Sequence, residues 1–528
     1  MSRRRILLTT LFAGFFAILA MLYSRLINPQ IFRTPASFFK FGTTTASIST
    51  ATTMAQVPQN NPVIVVGSGI AGLCASYEAL RAGASVCMLD RAPKPGGNSI
   101  KASSGINGAG SRFQKAQGIA VDDSFKSDTV RSAGRRYKEW EETKKGGVDR
   151  GALVDRLTSH SAASVEWLVD EVGVELSVVA LLGGHTVART HRGAGKLPPG
   201  AAIVTGLLNK VKEDPNFELK SAAEVTKFEQ AEDGTVQGVE FTQDGETHHL
   251  EGPVVFATGG FAGDANGQLA QYRPDLKGMP ATAEARPGTH ALLSSVGAAL
   301  IDMDSVQIHP TGFVDPAAPG SFSKFLAAEM LRGEGGILLD PSGKRFIDEL
   351  QTRDRLSEAI MALPPSSEKD IRQWNLTILL DPGAAEAASG HLGFYTWKGL
   401  MQKKKVKDLD QATIQSIDEY ADIVANKRAD PFGRKDFGHW KLVPGEANRE
   451  EDVVVGRITP VVHFTMGGVA FNDRAQVLKE GEEPIKGLFA AGEVTGGLHG
   501  DNRLGGSSLL DCVVFGRIAG KEAAKLVA

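Results

Sequence analysis

Residues 62–90 constrain the fold more than any other stretch. Val63-Ile64-Val65-Val66 is a continuous apolar run, the pattern of a strand buried on both faces of a parallel sheet. Gly67-Ser68-Gly69-Ile70-Ala71-Gly72 follows at once, then a helix-like stretch from Leu73 to Ala82, ended by Gly83. A second strand-like run, Ser85 to Asp90, ends on an acid. GxGxxG alone is a weak pattern. Between two strands, and opening a helix, it marks a βαβ dinucleotide-binding unit. The first two glycines make the turn and let the backbone approach a pyrophosphate. Gly72 lets helix and strand pack closely, and Asp90, with Arg91 beside it, can meet the ribose hydroxyls.

The next segments are rich in small residues. Lys94-Pro95-Gly96-Gly97-Asn98-Ser99 precedes Ala102-Ser103-Ser104-Gly105-Ile106-Asn107-Gly108. Such density suits backbone packed against a large flat ligand, or else a flexible loop. The polar helical region 121–172 reads as surface-facing over much of its length, and 207–246 as short strands and turns. Pro253 to Phe256 returns as a buried strand, followed by Ala257-Thr258-Gly259-Gly260. Near the C-terminus Ala491-Gly492-Glu493 and Arg503-Leu504-Gly505-Gly506-Ser507-Ser508-Leu509 follow a further strand-like run, Gly487-Leu488-Phe489. The Gly505-Gly506-Ser507-Ser508 step reads as a loop entering a helix N-terminus, where partial positive charge collects. Taken alone, it is equally an ordinary glycine-rich connector. Residues 301–440, interrupted by Pro and Gly, look like a module inserted before the dinucleotide domain resumes. Within them Lys403 to Lys407 is a basic run of the kind found on solvated surfaces.

Composition excludes several classes. A net charge of -3 gives no footprint for nucleic acid. The three cysteines, Cys74, Cys87 and Cys512, include no CxxC pair, so iron–sulfur, zinc-ribbon and CxxCH haem sites are unsupported. The first 61 residues differ from the rest: Arg3-Arg4-Arg5 precede an uncharged run from Ile6 to Ser24, and no Asp or Glu occurs from Arg25 to Asn61. This reads as a signal-anchor or cleaved signal, as a mitochondrial-type presequence, or as a packed helix. The expectations are attachment to a membrane through residues 6–24, residence in the endoplasmic reticulum or mitochondrion, and a soluble form if translation starts at Met54.

Five short motifs lie further on: Gln307-Ile308-His309-Pro310-Thr311, Glu329-Met330-Leu331-Arg332-Gly333, Gln351-Thr352-Arg353-Asp354, His463-Phe464-Thr465-Met466-Gly467-Gly468, and His499 to Gly506. Glu329 and Arg332 stand at i, i+3, where a helix would make them an ion pair. Singly, each motif is more often structural than catalytic. As an ordered set, together with the fingerprint, the Gly97-Asn98-Ser99 segment and the Ala491-Gly492-Glu493 segment, they resemble FAD-dependent oxidoreductases of the succinate dehydrogenase/fumarate reductase flavoprotein type, and the soluble fumarate reductases among them. The resemblance spans residues 62–528.

The resemblance implies an α/β fold: a Rossmann-like FAD-binding domain in two parts, 62–300 and 441–528, with an α+β capping domain over 301–440. It implies FAD held by Gly67, Ser68, Gly69, Ala71, Gly72, Asp90, Arg91, Gly97, Asn98, Ser99, Ser103, Ser104, Gly105, Asn107, Thr258, Gly259, Gly260, Glu493, Arg503, Gly506, Ser508 and Leu509. It implies fumarate as substrate and succinate as product. Arg503 and His463 would grip one carboxylate, and His309 and Thr311 the other. Arg353 would protonate one alkene carbon after hydride reaches its neighbour, with Glu329 and Arg332 as proton relay. An arginine acid sits far from its ordinary pKa, and His463 is the more conventional donor. Relatives that link FAD covalently do so through a histidine after the second strand. No histidine precedes His160 here, and Ser99-Ile100 fills that region, so FAD is expected to be non-covalent. Electrons would come from a free reduced FAD or FMN. Alternatives are a urocanate reductase, an L-aspartate oxidase, or a membrane-complex flavoprotein with iron–sulfur partners.

Overall fold

The computed structural model describes residues 61–195, 197–366 and 371–527. The run Ile6–Ser24 and Met54 lie outside them. Among the described residues no helix is long and apolar enough to cross a membrane.

Strand β1 (Val63–Val66) is fully buried, and three residues separate its end from helix α1 (Ile70–Arg81). β2 (Val86–Asp90) completes the opening unit, pairing in parallel with β1. A run of helices follows, including α2 (Phe125–Thr143), broken at Gly134, and α3 (Pro199–Lys212). β3 (Phe217–Ser221) then joins β2 in parallel. An antiparallel meander of Glu224–Gln230, Val236–Gln243 and Glu246–Glu251 leads to β4 (Val254–Phe256), which pairs with the other side of β1.

The chain now builds a second sheet. Its elements in order are β5 (Val306–Phe313), α4 (Met330–Gly333), β6 (Ile337–Leu339), α5 (Arg353–Met361), β7 (Leu376–Leu380), β8 (Gln402–Lys405) and β9 (Asp452–Thr465). The sheet is antiparallel, in the order β5-β9-β7-β6, with β8 also on β9. β10 (Pro484–Ala490) returns to the first sheet beside β4, and α6 (Ser507–Ala524) closes the fold.

The first sheet therefore runs β10-β4-β1-β2-β3, all parallel, with Gln476–Leu478 antiparallel on its edge. It is a Rossmann-like sheet whose strands lie on both sides of the second sheet in sequence, with α1 and α6 on one face and the antiparallel meander on the other. α6 lies directly on α1. A Cβ on Gly516 would sit 2.5 Å from the Ala71 carbonyl oxygen, and one on Gly520 2.1 Å from that of Ala75. Only glycine permits that approach.

Two expectations are amended. Residues 199–212 form a helix where strands and turns are expected from Leu207 onward. Pro199 stands in its first turn, where proline is well suited. The region 121–172 is surface-facing over much of its length, as expected, and it buries Asp128, Tyr137, Trp140 and Arg150 on its inner side. The second sheet also reaches past residue 440, because its longest strand, β9, ends at Thr465. Lys403, Lys405 and Lys407 are exposed, each paired with Asp452 or Glu450.

Candidate active site

A cavity of about 690 Å3 opens along the carboxyl ends of β1 and β4 and runs to the second sheet. Gly67, Ser68, Gly69 and Ala71 line it from the first loop, with Asp90 and Arg91 beyond β2. Gly97, Asn98, Ser99, Ser103, Ser104 and Gly105 form a flank, and Thr258, Gly259 and Gly260 another. Glu493, Arg503, Gly506, Ser508 and Leu509 close the far side, where Arg353 and His463 also reach it. Gly72, Asn107, His309, Thr311, Glu329 and Arg332 are not among the lining residues.

The cradle fits a dinucleotide by its backbone. Gly67 has φ of +105°, and a Cβ there would lie 2.4 Å from the Ala257 carbonyl oxygen. Gly72 packs on it, where a Cβ would fall 1.9 Å from Gly67 O. Both glycines are steric requirements of the turn. Asp90 is less free than the sequence suggests. One carboxylate oxygen takes the Ser68 N–H at 2.9 Å and the Ser68 hydroxyl, and the other takes the Ala92 N–H at 2.7 Å. Its first task is to tie the glycine loop to β2. Arg91 donates to Pro287 O at 2.9 Å. Asn107 stands behind the cradle and donates from Nδ2 to Gly505 O at 2.7 Å. Glu493 accepts the Thr465 N–H at 3.0 Å, and burial pushes its carboxyl up to about 7.

The other end of the cavity is built from long side chains. Gln307 Oε1 accepts from Arg353 Nη1 and from Arg503 Nη2, both at 2.9 Å. Its Nε2 donates to Asn502 Oδ1 at 2.8 Å and to Arg503 O at 2.7 Å. One amide thus fixes two guanidiniums. Asp501 and Asn502 anchor the Arg503 loop on α2: Asp501 N donates to Ala133 O at 2.9 Å, and Asn502 O accepts from Ser132 Oγ at 2.9 Å. Arg503 lies 4.5 Å over the Phe464 ring, its Nε is buried without a partner, and burial pushes the guanidinium down to about 9.

Arg353 binds Glu329 Oε2 through Nε at 2.7 Å and Nη2 at 2.5 Å. Burial disfavours the charged carboxylate, but the Arg353 and Arg332 charges outweigh it and hold Glu329 at about 2. The expected Glu329–Arg332 ion pair does not form. Glu329 stands at the N-cap of the four-residue α4, too short to set side-chain pairing, and Arg353 from another element takes its carboxylate. Arg332 instead donates from Nη1 to Glu349 O at 2.5 Å, and its buried Nε and Nη2 have no hydrogen-bond partner among the described residues.

His463 Nδ1 is 2.9 Å from Thr282 Oγ1, leaving Nε2 for the cavity. His309 lies behind it, the rings edge to face at 5.2 Å. His309 Nδ1 accepts the Thr311 N–H at 3.2 Å, and Thr311 Oγ1 donates to Ala327 O at 2.9 Å. His309 and Thr311 therefore sit one layer behind the cavity wall. Burial, and then the Arg353 charge, hold both histidines well below their ordinary pKa. Gln307, the hub of the network, has no role in the sequence reading. Its signal is present: Gln307, His309 and Thr311 alternate along a strand, a polar face at a period of two.

The fold, a glycine-loop cradle at the strand ends and a cavity lined by α6 define a flavin-dinucleotide protein. The chain belongs to the family described as FAD binding domain, whose model matches residues 62–509, and FAD is its cofactor. It is 40% identical over 490 residues to fumarate reductase 1 of Saccharomyces cerevisiae, covering 88% of this chain and 98% of that protein. It is 37% identical over 508 residues to fumarate reductase of Schizosaccharomyces pombe, covering 92% of each. Among solved structures it resembles the open conformation of a flavocytochrome c3 fumarate reductase, with a TM-score of 0.67 and 32% identity, over 88% of this chain and 78% of that one.

Proposed function

We propose that the protein reduces fumarate to succinate, with FAD held non-covalently and a free reduced flavin, FAD or FMN, as electron source. The observation that carries this reading is the convergence of the FAD cradle and two guanidiniums, Arg353 and Arg503, on one cavity. Arg353 is bonded to the Glu329 carboxylate, whereas Arg503 is bonded to no carboxylate among the described residues. A carboxylate of the substrate would give Arg503 the anionic partner it lacks. Arginine suits that task because its fork binds carboxylate in two places. The names of the two yeast relatives support the same substrate.

Bound FAD, when reduced, supplies a hydride. The chain supplies the rest. Arg503 and His463 hold one carboxylate and turn it out of conjugation with the double bond. Arg353 delivers a proton to the alkene carbon that hydride does not reach. Glu329, ionised and bonded to Arg353 through two nitrogens, takes up a proton from the Arg332 side and passes it to Arg353, so that a proton drawn in the end from solvent replaces the one given to the substrate. His463 and His309 are held neutral near pH 7, which favours Arg353 over His463 as the acid. A neutral imidazole N–H binds a carboxylate but is a weak proton donor.

The test uses the full chain with FAD and chemically reduced FAD or FMN, under anaerobic conditions. Reoxidation of the donor is followed with fumarate, with urocanate and with oxygen. Fast reoxidation by fumarate is expected. Faster reoxidation by urocanate than by fumarate overturns the reading.

A further inference from the structure

The segment from Gly183 to Arg189 contacts Glu329 and Gly505, both just behind the cavity wall, without lining the cavity itself. Gly183 N–H donates to Glu329 Oε1 at 2.9 Å. Two residues on, His185 Nε2 lies 2.9 Å from the Gly505 carbonyl oxygen, and Nδ1 lies 2.8 Å from Arg189 Nη1. A guanidinium can only donate, so Nδ1 is the acceptor and the ring proton sits on Nε2, facing Gly505. Burial pushes the imidazole down to about 4, so it stays neutral near pH 7. Arg189, fully buried, is fixed in turn by Asp122 at 2.8 Å and by Asp128 at 2.7 Å. Its orientation, and hence the tautomer of His185, is set by two buried carboxylates.

The Gly505 carbonyl thus receives two donors, His185 Nε2 and Asn107 Nδ2. Two donors on one oxygen fix the plane of the Gly505–Gly506 peptide. In a trans peptide the N–H points opposite to the C=O, so the clamp also aims the Gly506 N–H. Gly506 lines the cavity and caps α6 with φ of 76°. Its N–H has no hydrogen-bond partner among the described residues.

We propose that His185 is a positioning residue for the flavin: by donating to the Gly505 carbonyl, it aims the Gly506 N–H at the edge of the ring that becomes negative on reduction. A preoriented N–H there favours the reduced state over the oxidised one. The inference rests on the reading of Gly505–Leu509 as flavin-facing, and it does not depend on which acid is reduced.

The experiment measures the two-electron midpoint potential of bound FAD, by absorbance against redox dyes without fumarate, in three full-length holoproteins. His185→Phe keeps a ring but removes the donor. Its preference for reduced over oxidised FAD is expected to fall about tenfold, about 30 mV toward negative potential. His185→Gln can accept from Arg189 and donate to Gly505, and is expected to stay at the wild-type potential. In fumarate turnover, His185→Phe should lower kcat with KM unchanged. An unchanged potential in His185→Phe overturns the proposal, as does an equal shift in His185→Gln, which would point to packing alone. If His185→Phe does not retain FAD, His185→Gln decides: FAD held at wild-type potential supports the proposal, and lost or shifted FAD overturns it. If wild type fails to reduce fumarate while the potentials behave as stated, the substrate reading falls and this one stands.

Discussion

The two ends of the cavity are built by opposite means. The nucleotide cradle is made of backbone: glycines, small hydroxyl residues and the start of α6. Its first parts, residues 67–105, lie close in sequence around one βαβ unit, and residues 258–260 and 493–509 complete it. The charged end is made of long side chains. Gln307 meets Arg353 46 residues on and Arg503 196 residues on, and Glu329 meets Arg353 across 24. A backbone cradle tolerates many neighbours but no Cβ at its tight turns. A side-chain network tolerates small shifts of backbone but not the loss of one hydrogen-bonding group.

The largest effect separates these halves outright. Arg353→Ala should lower fumarate reduction by about a thousandfold or more, within the range of general acid catalysis, while the protein keeps bound FAD by its absorbance spectrum. Near-wild-type turnover would remove Arg353 from the chemistry.

The second test uses the two carboxylates, which respond to pH in opposite senses. Glu329 titrates at about 2 in the folded protein, below its ordinary 4.5. Its contribution is fully present above pH 4.5 and is lost as pH falls toward 2, worth about 3 kcal/mol. Glu493 titrates at about 7, above its ordinary 4.5. The unfolded chain loses that proton first, so stability falls as pH rises from 4.5 to 7, by less than for Glu329 because Glu493 is only half-buried. Denaturant titrations of the FAD-free protein check both signs: Glu329→Gln should flatten the acid limb, and Glu493→Gln the rise toward acid from pH 7. Equal behaviour of the two variants would dissolve the contrast.

The smallest effect concerns the hub. Gln307→Leu leaves Arg353 and Arg503 without their shared acceptor, at a cost of about 1.5–3 kcal/mol. Fumarate kcat/KM should fall roughly ten- to a hundredfold, with FAD affinity unchanged. A matching loss of FAD would mean that the two ends are not separable.

This contrast also explains what the sequence reveals. β1, the glycine turn and α1 are local, and each local signal agrees with the fold. The charged end is legible only through its resemblance to a family, because no spacing rule links Gln307 to Arg503. The i, i+3 rule misleads at Glu329 and Arg332, since it presumes a helix longer than α4. α3 goes unseen because its residues from Leu207 to Lys212 are grouped with the short strands that follow it. His309 and Thr311 are read as substrate ligands because sequence gives residue type and order but not depth, and the fold places them behind His463.

The clamp on Gly505 has a consequence in time. Asn107 and Gly505 are 398 residues apart, and a ribosome adds about 5–20 residues per second. Roughly 20–80 s pass between the synthesis of the amide and of the carbonyl it holds. FAD meeting the nascent chain in that interval would find the Gly67–Gly72 turn without its opposite wall. The cofactor site cannot be complete until Gly505 has been made, 398 residues after Asn107.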